Sequence, residues 1–251
     1  MDLRLNGRRA IVTGGSRGIG KQIAIALAKE GADVAIAART PEVLAATAEE
    51  IAAATGRRIV PITVDVRHDA SVDAMAAQAH AALGGIDILV NNAAVPGGRK
   101  VAAIADIDVG DLLEDINIKI GGYLRAARAV TPYMVESGWG RIVSIGGLAA
   151  RLTGNYNAAI RSAGISALTK NLADELGAKG IVATAIHPGA MLGVGMTPDV
   201  QARFASANSN GRLFDTNVIA WYVVMLCSQE AMALNGETLQ AGGGVRGMIN
   251  Y

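Results

Sequence analysis

Two kinds of apolar segment alternate strictly along this 251-residue chain, and that alternation constrains its fold more than any other feature. Short runs rich in Val, Ile and Ala occupy Arg9–Thr13, Asp33–Ala38, 58–64, 86–91, 141–145, 181–187 and 237–240. Between them lie longer Ala-rich amphipathic stretches at Gly18–Lys29, 41–54, 70–83, 112–136 and 158–178. Near-continuous Val/Ile runs predict strands covered on both faces. Strands alternating with helices predict a parallel sheet joined by crossover helices. Thr40-Pro41 reads as an N-cap followed by a first-turn proline, and Glu30-Gly31 as a helix stop. No repeat, low-complexity tract or linker intervenes, so the pattern predicts one α/β domain over residues 1–251, a doubly wound sheet of about seven strands.

Composition then removes several functions. The chain is 51% hydrophobic but only 4% aromatic, so its core must be aliphatic and disorder is excluded. With 23 Lys+Arg against 22 Asp+Glu, it offers no footprint for nucleic acid and no polybasic membrane patch. Its longest apolar run, 218–227, is half of the roughly 20 residues needed to cross a bilayer. The opening Met1-Asp2-Leu3-Arg4-Leu5-Asn6 is not of signal-peptide type, and the cytoplasm is the expected location. The single Cys227, next to Val223, Val224, Met225 and Leu226, reads as a small buried hydrophobe, and no metal site is expected.

One stretch departs from the alternation. Residues 190–212, AMLGVGMTPDVQARFASANSNGR, are rich in Gly, Met, Ser and Asn and weakly periodic. So long an irregular insertion reads as a lid over a site or as a plain loop. Met191, Leu192, Met196 and Phe204 in it imply no more than a partly apolar pocket.

Directly after the first strand comes Thr13-Gly14-Gly15-Ser16-Arg17-Gly18-Ile19-Gly20, which opens a helix. Glycines let backbone approach a pyrophosphate, and the helix N-terminus supplies N–H groups and a positive dipole end. A tight strand-to-helix turn also needs glycine, so the placement after strand 1 is what gives the loop its meaning. Further features follow in order: Asp65-Val66, Asn91-Asn92-Ala93-Ala94, Asn117, Gly140-Arg141-Ile142-Val143, His187-Pro188-Gly189 and Asn235-Gly236-Glu237-Thr238-Leu239. With these, the chain resembles the short-chain dehydrogenase/reductase family over nearly its whole length.

The resemblance implies a Rossmann-type fold and assigns roles by position. Gly14, Ser16, Arg17, Gly18, Ile19 and Gly20 would surround the pyrophosphate and adenosine ribose. Asp65 would accept from the adenine amino group with Val66 beside it, or else cap the following helix. Asn92 and Ala93 would line the adenosine side, and Pro188 and Gly189 the nicotinamide. Strand 2 ends Ala37-Ala38-Arg39, with Ala38 where an NAD reader carries its acid. Arg39 and Arg17 can converge on a 2′-phosphate, so NADP(H) is expected in preference to NAD(H); the alternative leaves both as solvated surface charges.

The family's proton-transfer set is where the sequence departs from the pattern. Members usually carry Asn, Ser, Tyr and Lys, the last two as Y-x-x-x-K, because four residues advance a helix by about 400° and keep both side chains on one face. Here Gly147 stands in the Ser slot, Ala158 in the Tyr slot and Ser162 in the Lys slot, leaving only Asn117. Tyr156 is the remaining candidate acid, or else a packing or lid residue; Thr153-Gly154-Asn155 reads as a turn that places it before the helix. Five helical steps, about 500°, would turn Arg161 away from it within one helix. His187 reads equally as site-lining or as packed.

The resemblance thus implies an NADP(H)-dependent oxidoreductase interconverting an alcohol and a ketone with a degenerate proton-transfer site. The second reading is a catalytically weak dinucleotide binder acting as sensor or partner subunit. A third, non-redox dehalogenation, would keep a Ser-Tyr-Arg set and lose the glycine loop, the reverse of what stands here. A homodimer or homotetramer built on the helices at 112–136 and 158–178 is also implied, with a small carbonyl or alcohol as substrate.

Overall fold

The structure, a computed structural model, describes residues 2–95, 103–192 and 196–246. Its strands are β1 (Arg9–Thr13), β2 (Asp33–Ala38), β3 (Ile59–Thr63), β4 (Ile88–Asn91), β5 (Gly140–Ile145), β6 (Ile181–Pro188) and β7 (Thr238–Ala241). They form one sheet in the order β3-β2-β1-β4-β5-β6-β7, with every pair parallel. The chain winds outward from β1 to β3 and then returns to place β4 against β1. That reversal opens a crevice at the carboxyl ends of the strands, where doubly wound sheets hold their ligands.

Alternation within each strand builds two cores. Val12, Ile36, Val90, Val143 and Ile186 face α1 (Gly18–Lys29), α2 (Pro41–Thr55) and α8 (Thr216–Leu226). Ile11, Ala35, Leu89, Ile142 and Ala183 face α3 (Asp69–Leu83), α5 (Gly122–Ser137) and α6 (Tyr156–Leu176). Successive strand side chains point to opposite faces, so each run needs aliphatics throughout. Each fully buried Val, Ile or Leu contributes about 1.5–3 kcal/mol. Cys227 is buried at the end of α8, and burial pushes its thiol up to about 12.

Three expectations change. The stretch 112–136 is not one helix: α4 (Val109–Ile116) passes through a π-helical turn, Asn117–Gly121, into α5. Second, the turn before α6 ends at Asn155, whose side chain caps the helix by accepting the Ala158 N–H at 3.0 Å. Tyr156 is therefore the first residue of α6 rather than a residue before it. Third, the 190–212 stretch holds a helix, α7 (Pro198–Ser206), capped by Thr197. Its flanks are tied down by a bridge from Met191 to Phe214 and by the Asn208 amide donating to the Arg212 carbonyl. Residues 193–195 of that stretch lie outside the described residues. No helix among the described residues is long and apolar enough to cross a membrane, and none of their acidic, His or Cys groups clusters to hold a metal.

Candidate active site

The turn between β1 and α1 is held by β4. Thr13 Oγ1 accepts the Asn92 and Ala93 N–H groups at 3.0 and 3.2 Å, and Asn92 Nδ2 donates to the Thr13 and Gly14 carbonyls at 3.0 and 3.2 Å. Gly14 has φ +66°, and a Cβ there would lie 2.9 Å from Asn92 Nδ2; one on Gly20 would lie 2.2 Å from the Gly14 oxygen. Backbone packs on backbone here, and only glycine permits it. Arg17 sits at the N-cap of α1 in extended conformation; its carbonyl accepts the Lys21 N–H at 3.2 Å but its side chain does not cap the helix, and the first turn carries no acid. Among the described residues no side chain caps the first N–H groups at the positive end of α1, which suits an anion.

These residues open on a cleft of about 800 Å³. Of the expected set, Gly14, Ser16, Arg17, Gly18, Arg39, Asp65, Val66, Asn92 and Ala93 line it, and Ala38 stands beside Arg39 without a carboxylate. Ile19, Gly20, Asn117, Tyr156, Pro188 and Gly189 are not in its wall. Ile19 packs against the α1-side core, and Gly20 backs onto Gly14. The Gly189 N–H donates to Ala241 at the β6–β7 end of the sheet.

Asp65 does not cap α3, whose N-cap is His68. Its carboxylate instead accepts the Arg67 guanidinium, Nη2 at 2.6 Å and Nε at 3.0 and 3.1 Å, and the Arg67 N–H at 3.0 Å. The Arg67 side chain above all lowers the Asp65 pKa to about 2. Arg67 becomes a third guanidinium of the cleft with Arg17 and Arg39. Sequence reading missed it, because a side chain folding back two residues leaves no periodic signal.

The carboxyl ends of β5 and β6 are different in kind. A Cβ on Gly147 would meet only Ser162 Oγ, at 3.3 Å, and Ser162 is buried. Tyr156 is 50% exposed. The Asn117 side chain accepts from Arg125 Nη2 at 2.9 Å. Arg161, five residues beyond Tyr156 in α6, meets Asp115 with Nη1 at 2.8 and 2.9 Å from the two carboxylate oxygens. Lys119, 5% exposed in the π-helical turn, donates from Nζ to the Gly146 carbonyl at 3.2 Å. Burial, and then Arg161, lower its pKa to about 7 against the opposite pull of Asp115. His187 is packed under Gly146, where an added Cβ would come within 2.2 Å of its ring. Its Nε2 lies 3.4 Å from Ser166 Oγ, and its buried Nδ1 has no partner among the described residues. Burial first, with Lys119 and Arg151, brings its pKa to about 4, so the ring is neutral near pH 7. Sequence reading singled out neither Lys119 nor Asp115. The available signal was two opposite charges four residues apart among isoleucines, Asp115-Ile116-Asn117-Ile118-Lys119-Ile120.

The family model described as short chain dehydrogenase matches residues 8–205. The chain belongs to the short-chain dehydrogenase family. It is 33% identical over 248 residues to the 3-oxoacyl-(acyl-carrier-protein) reductase FabG of Vibrio harveyi, covering 97% of this chain and 99% of that one. L-sorbose reductase from Gluconobacter frateurii, solved with NADPH and L-sorbose, superposes with a TM-score of 0.89 at 27% identity, over 99% of this chain and 100% of that one. A 7α-hydroxysteroid dehydrogenase solved with NADH and 7-oxo glycochenodeoxycholic acid gives 0.90 at 30% identity, over 99% and 98%. This short-chain dehydrogenase thus shares its single-domain fold with oxidoreductases along essentially its whole length.

Proposed function

We propose that this short-chain dehydrogenase is an NADP(H)-dependent oxidoreductase that interconverts an alcohol and a ketone with a reduced proton-transfer set. The observation that carries the cofactor half is the cleft itself, an uncapped helix N-terminus at the foot of an 800 Å³ space with guanidiniums on its walls. Gly14, Ser16, Arg17, Gly18, Ile19 and Gly20 would hold the diphosphate and ribose. Asp65, Val66, Asn92 and Ala93 would hold the adenine side, and Pro188 and Gly189 the nicotinamide. When bound, the dinucleotide supplies or accepts the hydride. Relatives have been solved with NADPH and with NADH, so the preference rests on this chain's own residues. Ala38 offers no acceptor to a ribose 2′-hydroxyl, and Arg39 and Arg17 offer donors to a 2′-phosphate.

In this reading Asn117 and Tyr156 are what remains of the proton-transfer set, with Gly147, Ala158 and Ser162 in the other slots. Residues 190–212, which hold α7, would act as a lid. The enzyme would work as a cytoplasmic homodimer or homotetramer; exposed Leu113, Leu124 and Ile160 on α4, α5 and α6 favour association there. Titration calorimetry with NADPH and NADH, paired with turnover on a panel of small carbonyl compounds, tests it. NADPH is expected to bind at least about tenfold more tightly than NADH. Replacing Arg17 and Arg39 by Ala should remove that preference, since hydrogen bonds to charged groups contribute about 1.5–3 kcal/mol. Equal affinities overturn the NADP(H) preference, and tight binding without turnover favours a sensor or partner subunit. Loss of turnover in Tyr156→Phe makes Tyr156 the acid; unchanged turnover removes it.

A further inference from the structure

The end of the site at β5 and β6 holds a group that the reading above leaves unused. Lys119 projects from the π-helical turn to the loop after β5, and its ammonium, with three N–H donors, has one acceptor among the described residues, the Gly146 carbonyl. A π-turn inserted in a helix commonly marks a functional position. Here, four residues after Asp115, it sets Lys119 inward while Asn117 faces Arg125. Gly146, whose carbonyl accepts from the ammonium, and Gly147 follow β5 at its carboxyl end and carry no side chains. Among the described residues beyond its chain neighbours, a Cβ on Gly147 would meet within 4 Å only the Ser162 hydroxyl.

Every charged or titratable group around it fits one role. Asp115 on α4 and Arg161 on α6 are paired with each other, so the attraction of the carboxylate for the ammonium is offset by the guanidinium. His187 on β6 is neutral near pH 7, its pKa lowered by burial and by Lys119 and Arg151, and the Tyr123 hydroxyl on α5 donates to the Ile145 carbonyl. A cation buried with one acceptor is costly to keep charged and readily gives up a proton.

We propose that Lys119 is the proton donor of this site, its buried ammonium protonating the oxygen of a carbonyl substrate as that substrate is reduced. The proposal rests on the oxidoreductase reading and replaces Tyr156 as the acid. The carbonyl carbon gains the hydride that a reduced nicotinamide dinucleotide supplies, and the electron pair of the C=O π bond moves onto oxygen. That oxygen takes a proton from Lys119 Nζ, an N–H bond breaking as the O–H bond forms, and the neutral amine regains its proton from water. In the oxidative direction the amine accepts the proton of the alcohol.

The test is the pH profile of kcat/KM for NADPH-dependent carbonyl reduction in the wild type, Lys119→Met and Lys119→Arg. In the wild type, reduction should fall as pH rises through about 7, where Lys119 loses its proton. Lys119→Met should lower kcat by about 10²–10⁴-fold, the usual worth of a positioned acid. Lys119→Arg, which keeps its charge but cannot deprotonate, should lose both activity and the limb near 7. A second readout needs no turnover: the stability of the wild type relative to Lys119→Met. The folded pKa lies below the unfolded one, so unfolding takes up a proton between about pH 7 and about 10.4, and the wild type should gain on the variant across that window. Should Lys119→Met fail to fold, Lys119→Gln serves for both measurements. A wild-type limb near pH 10, or unaltered kcat in the substitutions, overturns Lys119 as donor and leaves the oxidoreductase reading standing. NADPH binding without any turnover overturns both.

Discussion

Where β1, β2 and β3 end, the cleft is walled by glycine backbone and by arginines at the surface, Arg17, Arg39 and Arg67. Where β5 and β6 end, the polar groups come from four separate segments: the buried Asp115 and Lys119, the Gly146 carbonyl, the partly buried Arg161, and the buried His187. The arginines of the first end lie in high dielectric and are individually replaceable, whereas its glycines are fixed by close backbone packing. The second works in low dielectric, where each charge depends on its neighbours. Burial, rather than the number of charges, separates them.

Three substitutions test that difference, beginning with the largest effect. Asp115→Ala leaves the largely enclosed Arg161 without its carboxylate partner and should destabilise the fold by about 3–5 kcal/mol in denaturant titration. Because Asp115 raises the Lys119 pKa, the same change should move the limb of reduction below pH 7. A loss under about 1 kcal/mol would mean that the β5–β6 end is no more cooperative than the surface.

Gly20→Ala forces a Cβ against the Gly14 oxygen and Asn92 Nδ2, both parts of the fastened turn. It should cost about 1–3 kcal/mol, as overpacking does, and weaken NADPH by more than about tenfold in calorimetry. Unchanged affinity would show that the turn does not need its observed shape.

Arg67→Ala should have the smallest effect on stability, because its side chain is solvated. What it should alter is the acid limb. The folded Asp65 pKa, about 2, lies below the unfolded value of about 3.9, so its contribution is present above pH 4 and is lost as pH falls toward 2. Thermal unfolding of both proteins between pH 2 and 5 should show that limb flattened in the variant.

Much of the fold is legible in the sequence because it rests on local pattern. The bounds of β1, α1 and β2 follow directly from aliphatic runs broken by Gly14, Gly31 and Arg39. The break at Asn117–Gly121 is not legible, since Ile116, Ile118 and Ile120 continue an apolar pattern straight through it. Likewise 190–212 reads as irregular because α7 is short and exposed, and only Thr197-Pro198 marks its start. Asp65 is placed on the cleft by its strand, but its ion pair with Arg67 depends on a rotamer.

By itself, then, the sequence determined the sheet, the glycine turn after β1 and the arginines available to it, since these depend on neighbours within a few residues. Tertiary structure alone decided that Lys119 lies under Gly146, that Arg161 turns to Asp115 rather than toward Tyr156, and that His187 stays neutral. Those outcomes come from desolvation and from charges tens of residues apart, which no local pattern records.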